Sequence, residues 1–240
     1  MIGLESYNSY SHRLIKTCKY LEFMRVLVVS DIHGETEKLE EILDVESYEA
    51  ILCAGDLSDA AEFEDYGGRL EEVLDLFEEA EVPVRAVPGN MDPEEESVRA
   101  LRDRRMNLHR NTAAIGDLEA IGYGGGKTPF GTPFEPDGQD IKQTLSTLAE
   151  RSAGEITAAV VHQPPADSSV DVADGNHVGS EEVRELIEGT NLDLFLTGHI
   201  HESRGTDEIS GTKVLNPGPV LEGFYAVVET DEMETELKEI

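Results

Sequence analysis

The chain has 240 residues, 39% of them hydrophobic, and a formal charge of −32 from 51 acidic and 19 basic side chains. That length suits one domain, or at most two, with a substantial core, and so negative a surface argues against a bare electrostatic grip on nucleic acid without excluding it. The two cysteines, Cys18 and Cys53, are too few for a disulfide framework, and no run reaches the roughly 18 apolar residues of a membrane helix, so a soluble chain in a reducing cytoplasm is expected.

Residues 1–23 stand apart. Arg13, Lys16 and Lys19 oppose Glu5 and Glu22, the segment is rich in Tyr and Ser, and it has no clear period. Met24 then opens a clean apolar strand. Residues 1–23 are therefore read as an N-terminal extension, either poorly ordered or a mis-called start with translation beginning at Met24, and residues 24–240 as one domain.

From Met24 the pattern alternates between strand and helix. Residues 26–30 form an apolar strand, and Leu39, Ile42 and Leu43 fall at helical spacing within 37–43. A second strand is expected over 49–54, and Leu70, Val73, Leu74 and Phe77 follow the rule of an amphipathic helix. A third strand is expected over 82–87. Asp92, Pro93 and the acids 94–96 predict an N-cap, a proline at the first helical position and a favourable first turn. This β-α-β-α-β-α order implies a mainly parallel sheet covered by helices.

The second half reads as a different arrangement. Short strands over 113–115 and 118–122 flank a Gly116-Asp117 turn, and 124–138 is a Gly/Pro-rich loop. Ile141, Leu145 and Leu148 mark a helix, 156–161 a strand, and 167–179 a polar loop. Ser180 is a candidate cap for a helix bearing Val183, Leu186 and Ile187, with Gly189 past its end. Strands follow over 192–197, 213–215, 224–228 and 235–239. No repeat or linker is visible, so a single two-sheet domain is the simplest account.

A folded domain this acidic suggests a salt-rich cytosol. Screening shortens from about 10 Å at 0.1 M to about 3 Å at 1 M salt, which makes the self-repulsion tolerable. The acidic helix faces, such as Glu71-Glu72 and Glu78-Glu79, are solvated surface on this reading.

The residues that carry chemistry sit where strands end. Asp31 and His33 follow the first strand, Asp56 the second, Asn90 the third, His162 the strand over 156–161, and His199 and His201 the strand over 192–197. In an open α/β sheet, ligands gather beyond the carboxyl ends of strands. Two carboxylates, four imidazoles and one amide make an oxygen and nitrogen donor set suited to two divalent ions such as Mn, Fe or Zn. Two such ions can share a carboxylate and a hydroxide, and clamp both oxygens of a phosphoryl transfer. Each motif alone is weak: Asp-x-His is common by chance, and Gly-Asp and Gly-Asn are ordinary turn dipeptides. The order of all of them at successive strand exits is what carries the argument.

The series Asp31-x-His33, Gly55-Asp56, Gly89-Asn90, His162 and Gly198-His199-x-His201 resembles the calcineurin-like metallophosphoesterases. The segments 198–203, 128–135 and Asn216-Pro217-Gly218 are similar to the Icc-related phosphoesterase branch. The resemblance implies an α/β fold with two packed mixed sheets flanked by helices, a four-layer αββα sandwich. It implies that Asp31, His33, Asp56 and His201 hold one ion, while Asp56 as bridge, Asn90, His162 and His199 hold the other, with Mn favoured. Asn90 and His162 are then the metal-site groups expected to contact the phosphate.

One departure bears on the substrate. Many members have a histidine after the motif asparagine, thought to protonate the leaving group, and here that position is Met91, whose thioether cannot donate a proton. Members lacking that histidine tend to act on diesters, so a small phosphodiester is the expected substrate. Asp92 is expected only to cap the following helix. His109 and His177 are alternative acids, more simply read as loop histidines. Arg204 is a candidate phosphate contact, with a surface arginine as the equal alternative.

Gly126-Lys127-Thr128 resembles the end of a phosphate loop, but position 121 is Ile and Pro129 and Pro133 forbid the required helix. The competing functions are a non-catalytic protein that keeps this fold for binding, and a phosphomonoesterase using another acid. The presence of every expected ligand type favours the enzyme.

Overall fold

The computed structural model describes residues 24–240; the extension assigned to residues 1–23 lies outside the described residues. The first half is β1 (Arg25–Val29), α1 (Thr36–Val45), β2 (Ala50–Cys53), α2 (Tyr66–Glu79), β3 (Val84–Ala86) and α3 (Glu94–Asp103). The second half begins with β4 (Asn111–Ile115), β5 (Leu118–Tyr123), α4 (Gly138–Ala149) and β6 (Ile156–Val161). It continues with a small hairpin of β7 (Val172–Ala173) and β8 (Asn176–His177), then α5 (Glu181–Glu188) and β9 (Leu194–Leu196). β10 (Gly205–Ile209), β11 (Thr212–Asn216), β12 (Phe224–Glu229) and β13 (Glu234–Glu239) end the chain.

The strands form two large mixed sheets, in the orders β13-β12-β1-β2-β3 and β10-β11-β9-β6-β5-β4. Parallel pairing of β1 with β2 and β2 with β3 comes from the crossover helices. The β4–β5 pair is the hairpin expected around Gly116, whose φ of 59° is the left-handed conformation that a tight turn needs.

The layering follows from β1. Val26 and Val28 point between the sheets, against Ala158, Val160, Leu194 and Ala226. Leu27 and Val29 point the other way, against Leu39 and Ile42 of α1 and Leu70, Val73 and Phe77 of α2. A strand buried on both faces has no polar side to show, which is why its sequence reads as a continuous apolar run. On the second sheet, Ile121, Ala159, Val161 and Phe195 meet Ile141 and Leu145 of α4 and Val183, Leu186 and Ile187 of α5. The architecture is thus the four-layer αββα sandwich implied by the resemblance. Each large apolar side chain brought to zero exposure, such as Phe77, contributes about 2–3 kcal/mol.

Local signals mostly hold. Ser180 caps α5 by accepting from the Val183 N–H at 3.3 Å, and Asp65 caps α2, a cap missed in the sequence. Asp92 is a correction. α3 starts after Pro93 with no side-chain cap, and the Asp92 carboxylate turns inward, fully buried, to other partners described below. The strand β10 and the β7–β8 hairpin also went unforeseen, because neither carries an apolar run. Among the described residues no helix is long and apolar enough to cross a membrane.

Candidate metal centre

The sequence-predicted residues converge at the carboxyl ends of β1, β2, β3, β6 and β9. Ligand-type atoms of Asp31, His33 and His201 lie within 4.8 Å of one another, as do those of Asp31, Asp56 and His162. Asp31, Asp56, Asn90 and His162 are almost fully buried. The backbone is turned sharply to achieve this: Asp31, His33, Asp56 and His199 all have left-handed φ, between 50° and 72°. Such conformations cost about 1–3 kcal/mol each and persist where the surroundings over-determine them. Two glycines are required by close approach. A Cβ on Gly89 would lie 2.0 Å from Asp56 Oδ1, and one on Gly198 would lie 2.5 Å from Asp31 Oδ2.

Hydrogen bonds fix the imidazole tautomers. His162 Nδ1 lies 2.7 Å from the Ala54 carbonyl, which can only accept, so Nδ1 carries a proton. Its Nε2 then faces two oxygens, Asn90 Oδ1 at 2.9 Å and Asp56 Oδ2 at 3.4 Å. His33 Nδ1 donates to Asp59 Oδ2 at 3.2 Å, turning its Nε2 toward His201 Nε2 at 3.3 Å and Asp56 Oδ2 at 3.6 Å. His199 Nε2 donates to the Lys127 carbonyl at 3.1 Å, which leaves Nδ1 as its ligand atom. A neutral imidazole would aim a lone pair at these oxygens, so the contacts call for positive charge there, either a proton on Nε2 or a metal cation. The donor set therefore fits divalent ions, with Asp59 and the Ala54 and Lys127 carbonyls orienting the ligands from behind.

Electrostatics agrees. The ion-pair partners of Asp31 and Asp56 are all histidines, with no lysine or arginine among the described residues. Burial would raise the Asp31 carboxyl, but hydrogen bonding to His201 and the positive charge available on His162, His201 and His33 hold it well below the usual carboxylate range. Asp56 is likewise lowered: burial raises it, but the charge and hydrogen bond of His162 and the charge of His33 together outweigh burial. Burial disfavours charge on His162, yet Asp56 pushes its pKa up to about 9. His199 goes the other way, to about 4, through burial and then His162.

Asp92 is the organiser that the sequence did not disclose. It accepts from the Leu57 N–H at 3.0 Å, the Ser58 N–H at 3.1 Å, the Gly89 N–H at 2.7 Å and the Tyr66 hydroxyl at 2.9 Å. It ties the loop carrying Asp56 to the loop carrying Asn90. The Met91 N–H completes the link by donating to Asp56 Oδ1 at 2.8 Å. A buried acid reaching back across 35 residues leaves no local signal.

The other candidates go elsewhere. The Arg204 guanidinium donates to the Pro217 and Lys238 carbonyls and lies over the Phe224 ring, so it braces the chain around β12 and β13 and is not a free phosphate contact. His109 is not a loose loop residue. It is buried, accepts from the Gly124 N–H and packs edge-on to Tyr123 and Phe134. His177 sits on β8, held 2.6 Å from the buried Asp171. Lys127 and Thr128 lie in a loop with no helix before α4, so the phosphate-loop reading is rejected on structural grounds too. Cys53 is a buried free thiol, as expected, and burial pushes its pKa up.

The comparisons point one way. Residues 24–203 match the family model described as calcineurin-like phosphoesterase. An uncharacterised protein of Methanocaldococcus jannaschii is 30% identical over 209 residues, which span 83% of this chain and 90% of that protein. A solved structure from Thermus thermophilus has a TM-score of 0.71 at 23% identity, over 90% of this chain and 99% of that one. A dimetal phosphatase from Danio rerio gives 0.66 at 14% identity, over 90% and 95% of the two chains. At these identities the solved structures speak for the fold.

Proposed function

The chain belongs to the calcineurin-like phosphoesterase family and is thereby a metal-dependent phosphoester hydrolase, and from that premise we propose that it hydrolyses small phosphodiesters with two divalent ions, manganese foremost. In this reading Asp31, His33, Asp56 and His201 hold one ion, and Asp56, Asn90, His162 and His199 the other. The observation that carries it is the convergence of ligand atoms: His33 Nε2 and His201 Nε2 face each other at 3.3 Å, His162 Nε2 faces Asn90 Oδ1 at 2.9 Å, and Asp56 Oδ2 lies 3.6 Å from His33 Nε2 and 3.4 Å from His162 Nε2. Ions bound there would supply Lewis acidity and a clamp on the attacking and leaving oxygens.

The protein's own groups define the rest. Asp31 accepts from the His199 N–H at 3.0 Å, so one carboxylate positions ligands from two strand ends. No imidazole stands at position 91, His109 is buried with its Nδ1 taken by the Gly124 N–H, and His177 is held by Asp171. The site therefore offers no free side-chain acid in the place where relatives carry one. A positioned acid is worth about 10²–10⁴ in rate, mostly for poor leaving groups. Substrates with good leaving groups should suffer least, and the diester preference follows from the resemblance.

The test is Asp56→Asn. Replacing the shared carboxylate should remove both ions together, measured by metal analysis after dialysis, and abolish hydrolysis of an aryl phosphodiester with Mn²⁺. A variant that keeps two tight ions and normal turnover overturns the ligand set.

A further inference from the structure

The second feature that stands out is basic. Between the edges of the two sheets, the segment 106–110 bridges β3 and β5, through Ala86 with Asn107 and His109 with Gly122. Beside it opens a pocket of about 490 Å³ whose walls include Arg85, Arg102, Arg105, Arg110, Asn107 and His109, and no carboxylate. Four of the chain's 19 basic residues thus meet in one cavity of a protein carrying −32.

Those charges are largely unmatched. Arginine ion pairs among the described residues use Arg25, Arg69, Arg104, Arg110 and Arg184. They leave Arg85, Arg102 and Arg105 without a carboxylate. Arg85 donates only to the Val84 and Arg105 carbonyls. Arg104, one position away from Arg105, is by contrast held by Glu71, Asp75 and Glu78. Carboxylates are therefore abundant nearby and absent from the pocket.

Two buried polar atoms on the wall are also unpartnered. His109 is 3% exposed and Asn107 is 8% exposed, yet His109 Nε2 and Asn107 Oδ1 make no hydrogen bond. Because His109 Nδ1 accepts from the Gly124 N–H, the neutral ring carries its proton on Nε2, which is therefore an unused donor. The nearest acid to it is Glu94, at 3.4 Å and half exposed. Burial, then Arg110 and Arg102, hold the His109 pKa down to about 4, so the ring is neutral and the guanidiniums are close enough to act on it. A buried unsatisfied donor costs about 1–3 kcal/mol, which an oxyanion would relieve.

We propose that this pocket is an anion-binding site, separate from the metal centre, for a small organic phosphate carrying at least two negative charges. Planar guanidinium forks match phosphate oxygens two at a time. A single monoanion would leave most of the charge unmatched. The volume falls within the 300–1,000 Å³ range of small-molecule sites and exceeds what inorganic phosphate fills. Asn107 Oδ1, buried and unpartnered, is an acceptor suited to a ligand hydroxyl.

Calorimetric titration of the Mn²⁺-loaded protein with inorganic pyrophosphate and with ADP tests this, at fixed 0.2 M salt. Two classes of site are expected in the unaltered protein, one at the metals and one at the arginines. Asp56→Asn should lose the first and keep the second. The double variant Arg102→Ala/Arg105→Ala should keep the first and weaken the second at least about tenfold, the factor that 1.4 kcal/mol represents. Both arginines are exposed, so its melting temperature should be unchanged. Arg102→Lys/Arg105→Lys should fall between, because charge remains while the fork is lost. The proposal is overturned if the unaltered protein shows only the metal-dependent class, or if the alanine double variant binds as the unaltered protein does. It is equally overturned if that variant changes only the sedimentation coefficient, since the arginines then face another copy's acidic surface.

Discussion

Replacing Asp92 by alanine should loosen the metal site without touching a metal ligand. The carboxylate is fully buried and accepts four hydrogen bonds, from Leu57, Ser58, Gly89 and Tyr66. Alanine would strand three buried N–H groups and one hydroxyl, at about 1–2 kcal/mol each. Against this stands the cost of the charge itself. Burial, then the repulsion of Asp56, raise the Asp92 pKa to about 6, the three backbone N–H donors opposing them. At pH 7, above that value, an ionised Asp92 is carried at a cost of roughly 3 kcal/mol relative to a free aspartate. The net loss for alanine is therefore about 1–5 kcal/mol. For a chain of this size that lowers the melting temperature by about 2–20 °C. Asparagine keeps the shape and removes the repulsion, but turns one acceptor into a donor facing N–H or O–H groups, so it should lie between. The assay is thermal melting of the metal-free proteins at pH 7, with Mn²⁺ affinity measured alongside. Affinity should drop for alanine, because the loops bearing Asp56 and Asn90 lose their tie. An alanine variant that melts within a degree of the unaltered protein and binds Mn²⁺ as tightly would refute the reasoning.

Other expectations follow from the same physics. Melting temperature should rise markedly between 0.1 M and 2 M KCl, since screening relieves a charge of −32; a flat or falling trend removes the argument for a salt-rich habitat. Met91→His should speed hydrolysis of alkyl monoesters while leaving aryl diesters nearly unchanged. The gain should stay at or below about 10²-fold, the low end for a positioned acid, because Asp92 is bound elsewhere and cannot orient the new ring. Fast alkyl monoester turnover by the unaltered protein would sink the idea that an acid is missing. His109 has a folded pKa of about 4, depressed below its ordinary value of 6.5 by burial, Arg110 and Arg102. The unfolded chain takes up that proton first as pH falls, so the stability is complete above 6.5 and lost progressively down to 4. His109→Gln should then lose roughly 3 kcal/mol less across that window in urea titrations; equal losses would show that His109 does not titrate as its surroundings imply.

The features legible in the chain alone are local and periodic. The apolar run of β1, buried on both faces, and the helical spacing of Leu70, Val73, Leu74 and Phe77 need only neighbours along the chain to be recognised. The same is true of the ligands. Asp31, Asp56, Asn90, His162 and His199 announce themselves because each stands just beyond an apolar strand, and parallel strands must end on one edge. Asp59, three residues beyond Asp56, lies near enough along the chain for the same strand-end signal to point to it. Packing in three dimensions chose what each polar atom faces. Asp92 sits before a helix and looks like its cap, yet its carboxylate is claimed by N–H groups 34 and 35 residues away. Arg204 follows the Gly-His-Ile-His motif and looks like a phosphate contact, yet the Lys238 carbonyl, 34 residues on, takes it. Arg85, Arg102, Arg105 and Arg110 are scattered in sequence and form one pocket only because β3 and β4 bring the edges of two sheets together. Burial patterns propagate along a chain at fixed periods, whereas a hydrogen-bond partner is chosen by whichever group the packed layers bring within about 3 Å, and no period in the sequence records that choice.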